Sequence, residues 1–197
     1  MARTARIGPV TRDQVVLTFW HEYNLALYVL AAARRRDLPH ASFTTATPRG
    51  TVIRTIFESL ARRPQQVVIL PLPAETDRAA GRATARRLGD LGRAGYSIVV
   101  TPDGPWGPYR VAKPGALLVA RQSGLPILPV AVRARPAVRL GRWDHQLLPL
   151  PFSRLDLVTG ELLGVPDGTP LRPVVAALQA ALDAVTGAAD GPGRRLP

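Results

Sequence analysis

Short runs rich in valine, isoleucine, leucine and threonine alternate along the chain with segments of helical periodicity, and this alternation constrains the fold more than any other feature. Several of the runs are apolar throughout, as strands buried on both faces of a sheet are. Strands that alternate with helices predict a single-domain α/β fold with a mostly parallel central sheet flanked by helices. The six predicted strands are residues 15–20, 41–47, 66–71, 97–102, 126–132 and 154–160.

Four of the intervening segments carry helix signals. Pro114 suits a first helical turn, and Gly95 and Gly124 suit positions just past a helix end. Apolar side chains fall on one face of the first and the last of these segments. The four predicted helices are residues 51–63, residues 76–94, the letters KPGALLVARQSG and residues 170–186.

At 197 residues the chain suits one domain with enough apolar content to bury a core. We expect that domain at residues 15–186, between an N-terminal extension at 1–14 and a flexible C-terminal tail at 187–197. The sequence has no cysteine, which excludes disulfides, thiolate nucleophiles and cysteine-based zinc sites. Its three histidines are scattered, so no metal site is expected.

The formal net charge of +12 suits nucleic acid, an anionic membrane surface, or phosphorylated and carrier-bound substrates, and charge alone does not separate these partners. Lys113 is the only lysine, and a chain so rich in arginine, alanine and proline is typical of a GC-rich genome. The charge therefore counts little in favour of DNA binding. Polar residues interrupt the longest apolar segment, residues 15–33, so a membrane-spanning helix is not expected.

Polar residues follow two of the predicted strands at their carboxyl ends, where open α/β sheets bind ligands. His21 lies one residue past the first strand, and the loop PDGPWGP, residues 102–108, directly follows the fourth. If both open on the same edge of the sheet, His21 and Asp103 share one cleft. His21 alone suits a satisfied core histidine as well as a catalytic one, and its neighbour Glu22 cannot be assumed to orient the ring.

Spacing excludes several familiar sites. A zinc peptidase motif needs a second histidine at position 25, where leucine stands. Neither a Walker loop nor a G-x-S-x-G nucleophile elbow is present. The letters PDG within residues 101–115 predict first of all a turn. The same stretch is also a rigid loop that carries Asp103 and cations, and such a loop suits an anionic ligand.

In the letters VVTPDGPWGPYRVAKPGALLVARQSGLPILPVAV, residues 99–132, the chain resembles the DUF374 branch of the lysophospholipid acyltransferase superfamily. Its members carry a Thr-Pro-Asp-Gly-Pro-Arg-Gly-Pro loop, a Lys-Pro-Gly helix start and a Gly-x-Pro-Ile-x-Pro-Val strand. Residues 142–166 resemble the family's Ser-Trp-Asp-Arg-x-x-x-Pro-x-Pro-Phe-Ser segment, and FWHEYNLAL lies where the family has Phe-Trp-His. The resemblance covers roughly residues 15–166 and implies a glycerolipid acyltransferase-like fold.

The resemblance implies an acyltransferase that moves a fatty-acyl chain from the thioester of coenzyme A or acyl carrier protein to a hydroxyl of a lysophospholipid or related amphipathic acceptor. His21 matches the superfamily's general base, and Asp103 is the second implied catalytic residue. No metal or cofactor is implied beyond the acyl donor, and nucleic acid is not an implied partner. The implied location is cytoplasmic, peripheral at the inner face of the membrane. The implied substrate-binding residues are Gly104, Pro105, Gly107, Arg110 and Lys113.

The chain departs from the family's pattern at several positions. Ala26 stands where the superfamily's His-x-x-x-x-Asp motif has its acid, and Trp106 stands where the family has arginine, which removes a bidentate phosphate contact. Residues 47–52 and 70–82 replace two further motifs. These departures leave a second hypothesis, a catalytically degenerate lipid- or acyl-carrier-binding protein on the same fold. A third, a basic nucleic-acid-binding protein, has only the net charge in its favour.

Overall fold

A computed structural model of the protein describes residues 14–34, 39–59, 66–72 and 77–191. Strands and helices alternate within these ranges as the sequence pattern predicts. The elements in chain order are β1 (Val16–Thr18), a short 3₁₀ helix (His21–Tyr23), α1 (Asn24–Arg34), β2 (His40–Thr45), α2 (Pro48–Ser59), β3 (Val67–Leu72), α3 (Arg78–Arg93), β4 (Ser97–Val100), α4 (Gly115–Ser123), β5 (Ile127–Arg139), β6 (Leu147–Thr159) and α5 (Leu171–Asp190).

The strands form one sheet in the order β3-β2-β4-β1-β5-β6. The first five positions in this order pair in parallel, and β6 is antiparallel to β5. The predicted α/β class, with a mostly parallel sheet flanked by helices, is confirmed. Because β1 and β4 are parallel neighbours, the segments that follow them leave the sheet at the same edge.

The helices lie on both faces of the sheet. The connections through α1 and α2 run in one direction across the strand order, and those through α3 and α4 run in the other. Right-handed crossovers therefore place α1 and α2 on one face and α3 and α4 on the opposite face. The core lies on either side of β1, where Val16, Ile98 and Ile127 are fully buried.

Strands β5 and β6 are longer than their apolar runs predict. The expected strands covered 126–132 and 154–160, whereas the structure extends both into a two-stranded arm that projects past the short β1. We call residues 133–153 the arm. Its prolines and arginines disfavour a buried strand, and many of its side chains are exposed, which explains why the apolar pattern missed it.

The last helix also corrects a predicted boundary. It continues to Asp190, so the tail expected from residue 187 is wrong for residues 187–190. The extra turn forms because Ala189 is buried on the apolar face of the helix and the Asp190 carboxylate pairs with Arg139 on the arm. Residues 1–13 of the predicted extension and residues 192–197 of the predicted tail lie outside the described residues. Among the helices of the described ranges, none combines the length and apolar character needed to cross a membrane.

Candidate active site

His21 and Asp103 lie together at the carboxyl edge of the sheet, as the positions of their strands predict. One carboxylate oxygen of Asp103 accepts the backbone N–H of His21 at 2.9 Å, and the other accepts the backbone N–H of Arg110 at 3.2 Å. The Asp103 side chain is fully buried. It contacts the His21 backbone rather than the imidazole, so it fixes the 101–110 loop against the start of the 3₁₀ helix.

Burial raises the pKa of Asp103 to about 6, although the N–H groups of His21 and Arg110 act in the opposite direction. The carboxylate is therefore ionised at neutral pH. An anion at this position is satisfied by backbone donors, which suits a structural role in the loop. A direct catalytic role for Asp103 stays a prediction.

Asp144 supplies the acid that position 26 lacks. Its Oδ2 lies 2.8 Å from His21 Nδ1, and the Asp144 side chain is fully buried. Asp144 belongs to the turn between β5 and β6, at the end of the arm, and its side chain contacts His21 at the carboxyl edge of the sheet. Ala26, by contrast, is buried in the apolar core. The sequence left open which acid reaches His21, and the structure assigns that contact to Asp144.

The environment of His21 favours a neutral imidazole. Burial lowers its pKa below the ordinary value of 6.5, the Asp144 hydrogen bond partly opposes this shift, and the charges of Arg142 and Arg49 lower the pKa further. With its Nδ1 proton donated to Asp144, the ring keeps a lone pair on Nε2. Nε2 is thus the atom that can accept a proton from a substrate.

Two glycines of the 101–108 loop lie too close to the site to carry a side chain. A Cβ on Gly104 would be 2.5 Å from His21 Cδ2, and one on Gly107, whose φ is +76°, would be 3.1 Å from Trp143 Cε3. The Trp143 ring in turn lies 5.3 Å from the His21 ring, centroid to centroid. The glycines therefore allow the loop and the aromatic ring to enclose the imidazole.

Gly104→Ala tests this packing. The added methyl group displaces the His21 ring, and a displacement of about 1 Å costs on the order of 100-fold in the rate of a reaction that needs an aligned base. Gly164→Ala is the matched control, because a Cβ there has no heavy atom within 4 Å. Steady-state kinetics of the activity proposed below, with thermal melts to confirm folding, would make the comparison. Equal rates for the two variants would contradict the packing argument.

A cavity of about 440 Å³ opens beside His21, between α1, α2 and the turn of the arm. Its volume lies in the range of small-molecule sites. Polar side chains contribute to the wall, among them those of Arg49, Arg142, Thr101 and Gln146. Most of the remaining wall is apolar, and it includes Leu25, Tyr28, Phe43, Ile53, Ile56, Phe57, Ile69 and Val99.

The cations of this cavity are not those that the sequence indicated. Arg49 and Arg142 line it, whereas Arg110 and Lys113 are not among its lining residues. The Arg110 guanidinium binds the Glu22 carboxylate instead, with Nε and Nη2 each 2.7 Å from Oε1. Pro105 does line the cavity. Anion binding by Arg110 or Lys113 stays a prediction, and the charge of Arg49, just past β2, was the signal that the sequence reading passed over.

Glu22, the neighbour of His21, is the centre of a buried group of charged and polar side chains. It is fully buried, and its carboxylate accepts hydrogen bonds from the Tyr109 hydroxyl at 2.9 Å and from Arg110 and Arg139. Asp190 completes the group, 3.3 Å from Arg139 and 3.8 Å from Arg110. We call these five residues the Glu22 cluster. It ties the 3₁₀ helix, the loop after β4, the arm and α5 together beneath the His21–Asp144 pair.

Within the described ranges, no three histidine, aspartate or glutamate side chains are grouped as a metal ion would require.

Comparison with known proteins gives little information on function. No protein-family model matches the chain, and no solved structure matches it. An uncharacterized protein of Rickettsia prowazekii (strain Madrid E) is 31% identical over 71 residues, which are 36% of this chain and 33% of the Rickettsia protein. The match thus spans about a third of that relative's length. Because the relative's name states no activity, the function of this chain must be argued from its site.

Proposed function

We propose that this protein is an acyltransferase that moves a fatty-acyl chain from an acyl thioester, of coenzyme A or acyl carrier protein, to a hydroxyl of a lysophospholipid or related amphipathic acceptor. The observation that carries the proposal is the 2.8 Å contact between His21 Nδ1 and the buried Asp144 carboxylate in the wall of a largely apolar cavity. A glycerolipid acyltransferase-like fold, and action at the cytoplasmic face of the membrane, belong to the same proposal.

The chemistry needs one base and a path for one proton. His21 Nε2 removes the proton of the acceptor hydroxyl, and the oxygen attacks the thioester carbonyl. The C–O bond forms, the C–S bond breaks, and the imidazolium returns the proton to the leaving thiolate. Asp144 stabilises the imidazolium between these steps and holds the proton on Nδ1.

The cavity fits both halves of such a reaction. Its apolar wall suits a fatty-acyl chain, because an alkyl chain gains free energy when it leaves water. Arg49 and Arg142 line the cavity near His21, whose pKa their charges lower, and a guanidinium there can bind the phosphate of an acceptor or donor. These arginines come from α2 and from the turn of the arm, whereas the family's arginine would stand in the 101–108 loop, at the position of Trp106.

The contact of Asp144 with His21 favours an enzyme over a degenerate binding protein. The strongest reason for degeneracy was Ala26, which removes the expected acid from the helix. A buried carboxylate hydrogen-bonded to the imidazole supplies the same chemistry from another element. A protein that only binds lipid has no need for this pair.

Release of free thiol tests the proposal. Long-chain acyl-CoA and acyl carrier protein are offered with a panel of lysophospholipid acceptors, and the wild type is compared with His21→Ala. Acceptor-dependent release that His21→Ala abolishes in folded protein supports the proposal. Thioester binding without release would overturn it in favour of a binding protein, and salt-sensitive DNA binding that His21→Ala leaves unchanged would favour the nucleic-acid hypothesis.

The pH dependence of the rate is a further prediction. A general base works only when neutral, and the lowered pKa keeps His21 neutral to a lower pH than a free histidine. We therefore expect the rate to rise with pH and to reach half of its plateau below pH 6.5, the ordinary value for histidine. Single-turnover rates between about pH 5 and about pH 8 would measure this. A midpoint clearly above 6.5 would contradict the assignment of the base.

A further inference from the structure

The arm carries a bulge that projects from β6. In the strand register Arg135 pairs with Arg154 and Ala137 with Pro149, so residues 150–153 stand opposite Pro136 alone. Extra residues on one strand leave the ladder and bend it outward. The Ser153 hydroxyl, within hydrogen-bond distance of the Leu150 and Pro136 carbonyls, holds the base of the bulge. We call Leu150, Pro151 and Phe152 the wedge.

The wedge presents apolar side chains to solvent on a strained backbone. Phe152 is 97% exposed and has a φ of 64°, in the left-handed region that bulky residues rarely adopt. Pro151 is exposed beside it, and Leu150 is 39% exposed. Because the Phe152 side chain is exposed, packing within the protein does not offset the free-energy cost of its backbone conformation. Such backbone strain is typical of functional sites.

Two arginines lie in register at the base of the wedge. Arg135 and Arg154 are directly opposite each other across β5 and β6, and opposite residues of an antiparallel pair point to the same face. Both are exposed, and Arg154 Nε is 3.1 Å from the Asp156 carboxylate. Like charges directly opposite each other repel, and the single Asp156 carboxylate offsets only part of the charge of the two arginines. The wedge thus joins a protruding apolar tip to a pair of cations.

We infer that the wedge inserts into the interfacial layer of an anionic lipid bilayer, with Arg135 and Arg154 contacting lipid phosphates. Amphipathic elements bind membranes by this combination of buried apolar area and attraction to anionic headgroups. A convex tip suits a fluid bilayer better than an acidic protein surface, which offers charge for the arginines but no apolar layer for Phe152. The turn of the same arm carries Asp144, so docking brings the cavity close to a lipid acceptor. The membrane location and this last link rest on the proposed function, whereas the choice of the wedge as the docking element is argued from the arm alone.

Vesicle co-sedimentation of the full chain tests the apolar part. We expect binding to vesicles of phosphatidylglycerol and phosphatidylcholine, weaker binding to phosphatidylcholine alone, and a loss of roughly tenfold or more in Phe152→Asn. Asparagine adopts a φ near 64° more readily, so the same variant should unfold at a higher temperature, which separates lost binding from lost folding. Leu162→Asn, at an exposed leucine outside the arm, is the control and should bind like wild type.

A matched pair of double variants tests the charge. Arg135→Gln with Arg154→Gln should weaken binding to the anionic vesicles roughly tenfold or more, whereas Arg86→Gln with Arg87→Gln removes the same charge from the exposed face of α3 and should have little effect.

Equal losses of vesicle binding in the two double variants, or unchanged binding of Phe152→Asn, would overturn the inference. So would binding to acyl carrier protein, but not to vesicles, that depends on Phe152. His21→Ala should bind vesicles normally, so docking and catalysis fail separately.

Discussion

Asp144→Asn is expected to lower acceptor-dependent thiol release by about 10²–10⁴-fold while the protein stays folded. Asparagine keeps the shape of the side chain but loses its negative charge, so it cannot stabilise an imidazolium. Its amide can also donate to Nδ1, which places the ring proton on Nε2, where the substrate proton has to go. Thiol release under saturating donor and acceptor measures the effect. Asp167→Asn, at an exposed loop position, is the matched control.

Two further measurements separate an orienting role of Asp144 from a merely structural one. The Asp144 hydrogen bond raises the pKa of His21, so its removal should shift the acid limb of the pH profile to still lower pH. The combination of Asp144→Asn with His21→Ala should be no slower than His21→Ala alone, because the two residues act as one unit. A slower rate with an unmoved acid limb would show that Asp144 only supports the fold.

Glu22→Gln should destabilise the fold by about 3–5 kcal/mol, because it leaves Arg110 and Arg139 without the buried anion that compensates their charge. For a chain of this length, a loss of that size lowers the unfolding midpoint by roughly 10 °C. Differential scanning calorimetry or urea titration measures it. Glu22 differs in this respect from the usual surface ion pair, whose removal changes stability little.

Glu58→Gln is the control for that comparison. Glu58 pairs with Arg54 at 4.0 Å on α2, and both side chains are more than 40% exposed. The same chemical change there should alter stability by about 0.5 kcal/mol or less. If Glu22→Gln were as mild as Glu58→Gln, the Glu22 cluster would not be what ties the 3₁₀ helix to the arm and α5.

The sequence was sufficient to predict the strands of the central sheet and the meeting of His21 with the 101–115 loop. Buried parallel strands are apolar throughout, so the pattern locates them, and parallel neighbours bring their carboxyl ends to one edge. The same logic could not identify Asp144, which reaches the site from the end of the arm. No short-range pattern links residues that far apart along a chain.

The arm and the cluster were missed for physical reasons of their own. The parts of β5 and β6 that extend past β1 have one or both faces in water, so residues 133–139 and 147–153 have a polar and proline-rich pattern that does not predict a strand. The sequence predicted that Arg110 contacts an anionic ligand, because its loop carries cations. In the structure Arg110 instead compensates the charge of the buried Glu22 carboxylate. Charge patterns show that a cation is present without showing which anion it meets.

The central position of β1 has a consequence for how the chain is made. Val16–Thr18 leaves the ribosome before every other strand of the described ranges, yet its neighbours in the sheet are Ser97–Val100 and the start of β5. At ordinary rates of translation the nascent strand waits on the order of ten seconds for a pairing partner. During that wait its apolar side chains have no sheet to join, and a chain that ends before residue 97 lacks both sheet neighbours of β1.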